Sequence, residues 1–249
     1  MEDVLDSEGP GPLLRLAGVH KYHGTGELTV HALRGIDMQL AEGEIVALCG
    51  PFGSGKTSLL NLIAMLEPAT EGYIEFARLR VSKLSEQARA DLRADMMGIV
   101  FQAFSLIPVL TARENVLLPL VLRGHLSPAQ LEEGYARADE LLGRLGLAAQ
   151  SARYPPRLDA SQSQRVAIAR ALVTQPRLVL ADEPDSRLDP ACTRMVLDLF
   201  AREQQLHGTA FLIATRDQRQ MQRVARTVQI AQGRLATAGT SRQPFRVQR

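Results

Sequence analysis

Tryptophan is absent from this chain, cysteine occurs twice and lysine three times. Each scarcity removes a class of protein. Two cysteines, Cys49 and Cys192, supply neither a disulfide framework nor metal-ligand spacing, and read as reduced thiols. Long apolar runs are missing as well. Stretches such as Leu117–Leu122 and Leu178–Ala181 fall far short of the roughly 20 residues that a bilayer-spanning helix needs. The opening segment, Met1–Pro12, is acidic and rich in Gly and Pro, unlike a secretory signal, and reads as a disordered leader. Neither charge sign dominates: 29 basic against 27 acidic residues leave a net +2, so no global field draws the chain to nucleic acid. A membrane-spanning chain and a secreted disulfide scaffold are thereby excluded. A peripheral membrane partner is not.

What is present is an ordinary globular composition. The 249 residues are 45% hydrophobic and 22% charged, enough to bury a core without staples. Leu13–Val19, Leu28–Leu33 and Gly35–Leu40 read as strands, the last two split by a turn. Glu44–Cys49 is a compact apolar strand ending at Gly50, and Thr57–Leu66 has helical spacing. After a turn at Pro68–Gly72, Tyr73–Phe76 is a strand, Ser85–Arg93 a helix capped by Ser85, and Gly98–Phe101 a strand. Residues 112–147 are mostly helical, with a break near Gly124–Ser127 and a restart at Ser127-Pro128. Gln162–Thr174 is helical, Leu178–Ala181 a fully apolar strand, Cys192–Gln205 a helix, Ala210–Ala214 a strand and Arg216–Val224 a helix. Val228–Ala231 and Leu235–Ala238 form a closing hairpin around Gln232-Gly233.

Strands alternating with helices predict an α/β fold with a largely parallel sheet. The expected organisation is one domain over 13–238, with a helical subdomain at about 98–160 and a basic tail at 239–249. Nine arginines lie from Arg202 onward. They read either as a solvated face in an Arg-biased chain or as a surface for lipid headgroups or nucleic acid. The solvated face is favoured, because no aromatic interleaving supports base stacking.

Two motifs carry chemistry. Residues 50–57 read GPFGSGKT, a full match to the phosphate-loop pattern. Gly50, Gly53 and Gly55 let the backbone curl so that successive N–H groups converge at a helix N-terminus, where an anion is favoured. Lys56 supplies a cation for the β- and γ-phosphates, and the Thr57 hydroxyl suits Mg²⁺. Such a match arises by chance in about one chain of this length in a hundred. Its setting, an apolar strand before and a helix after, argues further against a mere Gly-rich turn. Residues 178–184 read LVLADEP, and the strand delivers Asp182 and Glu183 at its C-terminal end. Asp182 would bind Mg²⁺, and Glu183 would orient or deprotonate an attacking water. Alone, such a pair would read as a cap or turn; after a phosphate loop it reads as a second half of the site.

Longer segments resemble the ATP-binding subunits of ABC transporters, in the branch of lipoprotein-releasing, macrolide-exporting and cell-division systems (LolD-, MacB- and FtsE-like). YHGTGELTVHALRGIDMQLAEGE (22–44), FQAFSLIPVLTARENVLLPL (101–120), QRVAIARAL (164–172) and ADEPDSRLD (181–189) carry it, and the likeness runs from about Leu13 to Leu235. It implies a P-loop ABC ATPase fold: a mostly parallel core sheet, an antiparallel β-subdomain and a helical subdomain. It implies Tyr22 stacking on adenine, Ser54 and Ser58 joining the nucleotide site, and Gln102 coordinating Mg²⁺ or water. Asp189 closes the segment after the acidic pair. The resemblance further implies ATP and Mg²⁺ as cofactors and head-to-tail dimers with a second ATP-binding subunit, equal or different. An integral-membrane permease as partner follows, with no nucleic acid, and a peripheral place at the cytoplasmic face of the inner membrane.

Departures from the family pattern qualify this. The family's L-S-G-G-[EQ] signature, which caps the partner's γ-phosphate, is LDASQ here (158–162). Asp159 replaces the Ser, Ala160 and Ser161 replace the glycines, and Gln162 is kept. A carboxylate there opposes a phosphate, and any left-handed backbone would cost roughly 1–2 kcal/mol per residue. Asp159-x-x-Gln162 also spells a capping box, in which the carboxylate satisfies the N–H groups itself. In IATRD (213–217), Arg216 stands where the family has the His that contacts the γ-phosphate. Arg cannot act as a base. It either contacts a phosphate or turns to solvent. Phe52, at a variable loop position, is expected to point away from the phosphates. These departures predict impaired ATP hydrolysis by an otherwise complete site, or a non-hydrolysing, nucleotide-gated subunit. A soluble ABC-type ATPase acting on nucleic acid ranks below both.

Overall fold

The computed structural model describes residues 11–24, 26–124, 126–216, 224 and 226–236. The expected leader, the tail and most of the helix expected at Arg216–Val224 lie outside these residues.

Two sheets form the frame. The smaller is antiparallel, with strands β1 (Leu14–His23), β2 (Val30–Leu40), β4 (Glu71–Phe76) and β5 (Leu79–Arg80) in the order β2-β1-β4-β5. The larger has β3 (Ile45–Cys49), β6 (Met97–Val100), β7 (Leu178–Asp182), β8 (Ala210–Thr215), β9 (Arg226–Ala231) and β10 (Arg234–Ala236), in the order β10-β9-β3-β8-β7-β6. Its pairings are parallel except for the β9–β10 hairpin. The helices are α1 (Lys56–Ile63), α2 (Glu86–Met96), α3 (Ala112–Leu122), α4 (Pro128–Arg144), α5 (Ala160–Leu172) and α6 (Pro190–His207).

The central strands β3, β7 and β8 are apolar up to their C-terminal residues because both of their faces are covered. In β3, Val46 and Leu48 join a core shared with α1 and the antiparallel sheet. Ile45, Ala47 and Cys49 face the other way, into a core with α3–α6. Strand side chains alternate between faces, so a strand covered on both sides reads as a near-continuous apolar run.

Local chemistry sets the helix starts. Ser85 caps α2 by accepting from the Ala88 N–H, and Ser127 caps α4 in a capping box with Gln130. Between β6 and β7, α3, α4 and α5 pack on one another, as a helix-rich insertion between neighbouring strands.

The antiparallel sheet departs from the sequence expectation. The strands expected at Leu28–Leu33 and Gly35–Leu40 are one continuous β2, because it pairs with β1 along its length and the irregularities are absorbed as register shifts. The two-residue β5 has no periodicity to betray it; it exists through pairing with β4.

Candidate functional site

At the C-terminal end of β3 the chain turns into α1 through the glycine-rich loop. Gly55, the residue before α1, has φ 105, and a Cβ there would stand 2.9 Å from the Ala32 carbonyl oxygen. Only glycine fits this turn. Lys56 is buried. Its ammonium donates to the carbonyls of Gly50 (2.8 Å) and Pro51 (2.9 Å) and stands 3.8 Å from a Glu183 carboxylate oxygen.

Strand β7 ends beside this loop. The Thr57 hydroxyl donates to Asp182 Oδ2 at 2.7 Å, joining residues 125 positions apart. Asp182 Oδ1 is buried without a hydrogen-bond partner, as is Ser54 Oγ. Burial lifts the Asp182 carboxyl above its ordinary range. The Thr57 bond and Lys56 oppose the shift, while the Glu183 charge adds to it. A hydroxyl–carboxylate pair in which Thr57 is exposed, Asp182 is buried and one Asp182 oxygen is left free fits a small, hard divalent cation held through oxygen ligands. Thr57 and Asp182 would hold it.

Glu183 follows in left-handed backbone (φ 48), a strained conformation for a residue with a side chain. Its N–H is fixed by the Ala214 carbonyl at 2.8 Å. Because β8 lies beside β7, Arg216, just past β8, comes to Glu183. The guanidinium stands 2.9 Å from Glu183 Oε2, without hydrogen-bond alignment, so the contact is an ion pair. Arg216 is thus paired with the acidic residue while about half of its side chain stays exposed.

A cleft of about 810 Å³ opens over the loop. Ser54, Gly53, Gly55, Lys56, Thr57, Ser58, Gln102 and Glu183 line it, together with His23, Val30, His31, Arg34, Phe52, Gln232 and Gly233. Phe52 is 85% exposed at its mouth. Ser58 is within 3.3 Å of a His23 ring nitrogen. Tyr22 is not among the lining residues: its ring stacks on His31, with centroids 4.1 Å apart, and His31 faces the cleft. Desolvation, then the charges of Arg34 and His20, hold the His31 imidazole below its ordinary range, against an opposing hydrogen bond with the Leu33 backbone. The turn at Gln232-Gly233 is more than a closing hairpin. Gly233 donates to the Ser54 carbonyl (2.9 Å) and accepts from the Arg34 N–H (2.7 Å), tying the loop to β2. Neither His31 nor Gln232-Gly233 was legible as part of the site. The histidines flanking Tyr22 were the one available signal.

Asp159, Ala160, Ser161 and Gln162 lie elsewhere, at the start of α5, outside this cleft lining. The capping box is formed in full: Asp159 Oδ1 accepts from the Gln162 N–H (2.8 Å) and Gln162 Oε1 from the Asp159 N–H (3.1 Å). Asp159 has φ −73 and none of residues 158–162 has positive φ. The strain anticipated from replacing the two glycines is therefore absent.

A parallel sheet with a phosphate-type loop at the end of one strand and an acidic pair at the end of another defines a P-loop nucleotide-binding protein. The chain belongs to the ABC transporter family, whose model, described as "ABC transporter", matches residues 33–186. It is 42% identical over 222 residues to the lipoprotein-releasing system ATP-binding protein LolD of Novosphingobium aromaticivorans, covering 89% of this chain and 97% of the relative. It is 39% identical over 226 residues to the macrolide export ATP-binding/permease protein MacB of Marinobacter nauticus, covering 91% of this chain but 34% of that longer protein. Among solved structures, a dimeric ATP-binding cassette in a post-hydrolysis state with ADP and Pi superposes with a TM-score of 0.86 at 33% identity, over 92% of this chain and 99% of that one.

Proposed function

We propose that this chain is the ATP-binding subunit of a transporter whose permease is a separate chain, of the lipoprotein-release or macrolide-export type. It binds Mg-ATP in the cleft over residues 50–58 and hydrolyses it slowly. The names of the relatives support the transporter class. Their names, an ATP-binding protein of a lipoprotein-releasing system and a macrolide export ATP-binding/permease protein, support coupling to a permease. No described helix is long and apolar enough to cross a membrane, which fits a peripheral place at the cytoplasmic face of the inner membrane.

The loop N–H groups and Lys56 bind the β- and γ-phosphates, and Thr57 and Asp182 hold Mg²⁺. The cation, when bound, neutralises phosphate charge and draws the oxygens into line. Gln102 contributes from the cleft edge. Glu183 orients the attacking water and takes its proton.

The observation that carries slow hydrolysis is the 2.9 Å ion pair between Arg216 and Glu183. A carboxylate held against a fixed cation has one oxygen withdrawn from the water it should polarise, and Arg216 cannot itself accept a proton. The second reading is a non-hydrolysing, nucleotide-gated subunit. The formed capping box favours it, because Asp159 occupies with its own carboxylate the helix N-terminus that the family aligns with a partner's γ-phosphate.

Turnover of the purified subunit–permease complex separates the two. Slow but measurable hydrolysis, lost in Glu183→Gln, supports the first. Turnover indistinguishable between the native complex and Glu183→Gln refutes it in favour of the second.

A further inference from the structure

The segment carrying Gln102 is gripped at both ends by the last turn of α5. Before it, β6 passes so close to α5 that a Cβ on Gly98 would lie 2.0 Å from the Ala171 carbonyl oxygen. After it, Arg170 donates to the carbonyls of Ser105 (2.7 Å) and Phe104 (2.8 Å). Only residues 101–103 lie between the end of β6 and this clamp, and Gln102 is the middle one.

Arg170 forms no ion pair with a carboxylate among the described residues, and its desolvated guanidinium spends its donors on this loop. The planar fork matches two neighbouring carbonyls, which a lysine ammonium would meet as a point charge. Ser105 is in left-handed backbone (φ 47), a conformation that persists only where the surroundings hold it. The ring of Phe104 lies under the Arg187 guanidinium, 4.9 Å from its centroid, so the segment after the acidic pair touches the same spot. Farther on, buried Asn115 fixes the rest of the loop by accepting from the Ile107 N–H (2.7 Å) and donating to the Ile107 and Leu110 carbonyls.

We propose that Arg170 is a positioning residue for Gln102. Through it the helix α5 links the position of Gln102 to Asp159 at the other end of the same helix, about 16 Å away. This rests on the reading that Gln102 serves Mg²⁺ in the nucleotide site.

The test uses the full chain with Arg170→Gln, Arg170→Lys, Gln102→Ala and the Arg170→Gln/Gln102→Ala double variant. Two quantities are read: the Mg²⁺ concentration that half-saturates ATP binding, followed with a fluorescent ATP analogue, and backbone amide exchange over 101–105. Arg170→Gln is expected to raise the Mg²⁺ requirement about tenfold and to speed exchange in 101–105. Arg170→Lys restores both in part, and in the Gln102→Ala background Arg170→Gln has no further effect on Mg²⁺. Unchanged exchange in Arg170→Gln, or an equal Mg²⁺ shift with and without Gln102, overturns the proposal. If Gln102→Ala leaves the Mg²⁺ requirement unchanged while Arg170→Gln still speeds exchange, the clamp stands. In that case the role read for Gln102 falls, and with it the link to the nucleotide.

Discussion

At Glu183 two cations compete for one carboxylate: Lys56 at 3.8 Å and Arg216 at 2.9 Å. The outer cation is the removable one, since Arg216 is 54% exposed while Lys56 is buried in the loop. Replacing Arg216 by His removes the fixed charge at neutral pH and returns a group that can hold a water. We expect turnover of the complex to rise roughly tenfold, part of the 10²–10³ that one transition-state contact is worth. Steady-state phosphate release measures it. Asp182 gives a pH signature. Its carboxyl is raised by burial, so as pH falls toward the ordinary carboxylate range the native state takes up a proton before the unfolded chain does. Stability of the nucleotide-free protein rises through that window while stabilisation by Mg-ATP fades. Glu67, where burial is outweighed by bonds from Lys21 and Asn61, acts oppositely, but only below the ordinary carboxylate range. Asp182→Asn should raise the nucleotide-free Tm by roughly 2–4 °C and abolish the Mg²⁺ effect; melts with and without Mg-ATP across pH check both.

Among the elements, α5 carries the most: a cap at Asp159, a loop clamp at Arg170 and a close approach to β6. Asp159→Ala removes the cap and should cost about 1 kcal/mol, whereas Asp159→Ser keeps a capping oxygen and should cost only a few tenths. Denaturant titration distinguishes them. At the opposite end, Gly98→Ala forces a methyl group into the Ala171 carbonyl and should cost about 3 kcal/mol as α5 is pushed off β6. The same titration reads this, and Gly143→Ala is the control, since a Cβ there meets nothing within 4 Å.

On the scale of the whole molecule, one cleft brings Lys56, Thr57, Gln102 and Glu183 together, whereas residues 158–162, proposed to meet a second subunit, lie at the start of α5 outside its lining. The family's dimeric cassettes make the consequence measurable. Glu183→Gln, loaded with ATP, should remain largely monomeric at micromolar concentration in light scattering. Adding Asp159→Ser, Ala160→Gly and Ser161→Gly should shift it toward dimer by tenfold or more in affinity, since a charge-assisted contact replaces a repulsion worth at least about 1.4 kcal/mol. An unchanged monomer fraction would show that residues 158–162 do not set assembly.

The sequence by itself determined the α/β alternation, the phosphate loop and the acidic strand end. Each is written in contiguous residues whose local geometry follows from side-chain type and spacing. It also spelled out the Asp159–Gln162 capping box, a four-residue motif that needs no distant partner. Tertiary structure alone decided the meeting of Arg216 with Glu183, the insertion of His31 in front of Tyr22, the return of Gln232-Gly233 to the phosphate loop and the grip of Arg170 on Phe104 and Ser105. These contacts depend on which strands lie side by side and on which helix covers which sheet edge. That order is set by the burial of whole faces, and no short run of residues encodes it.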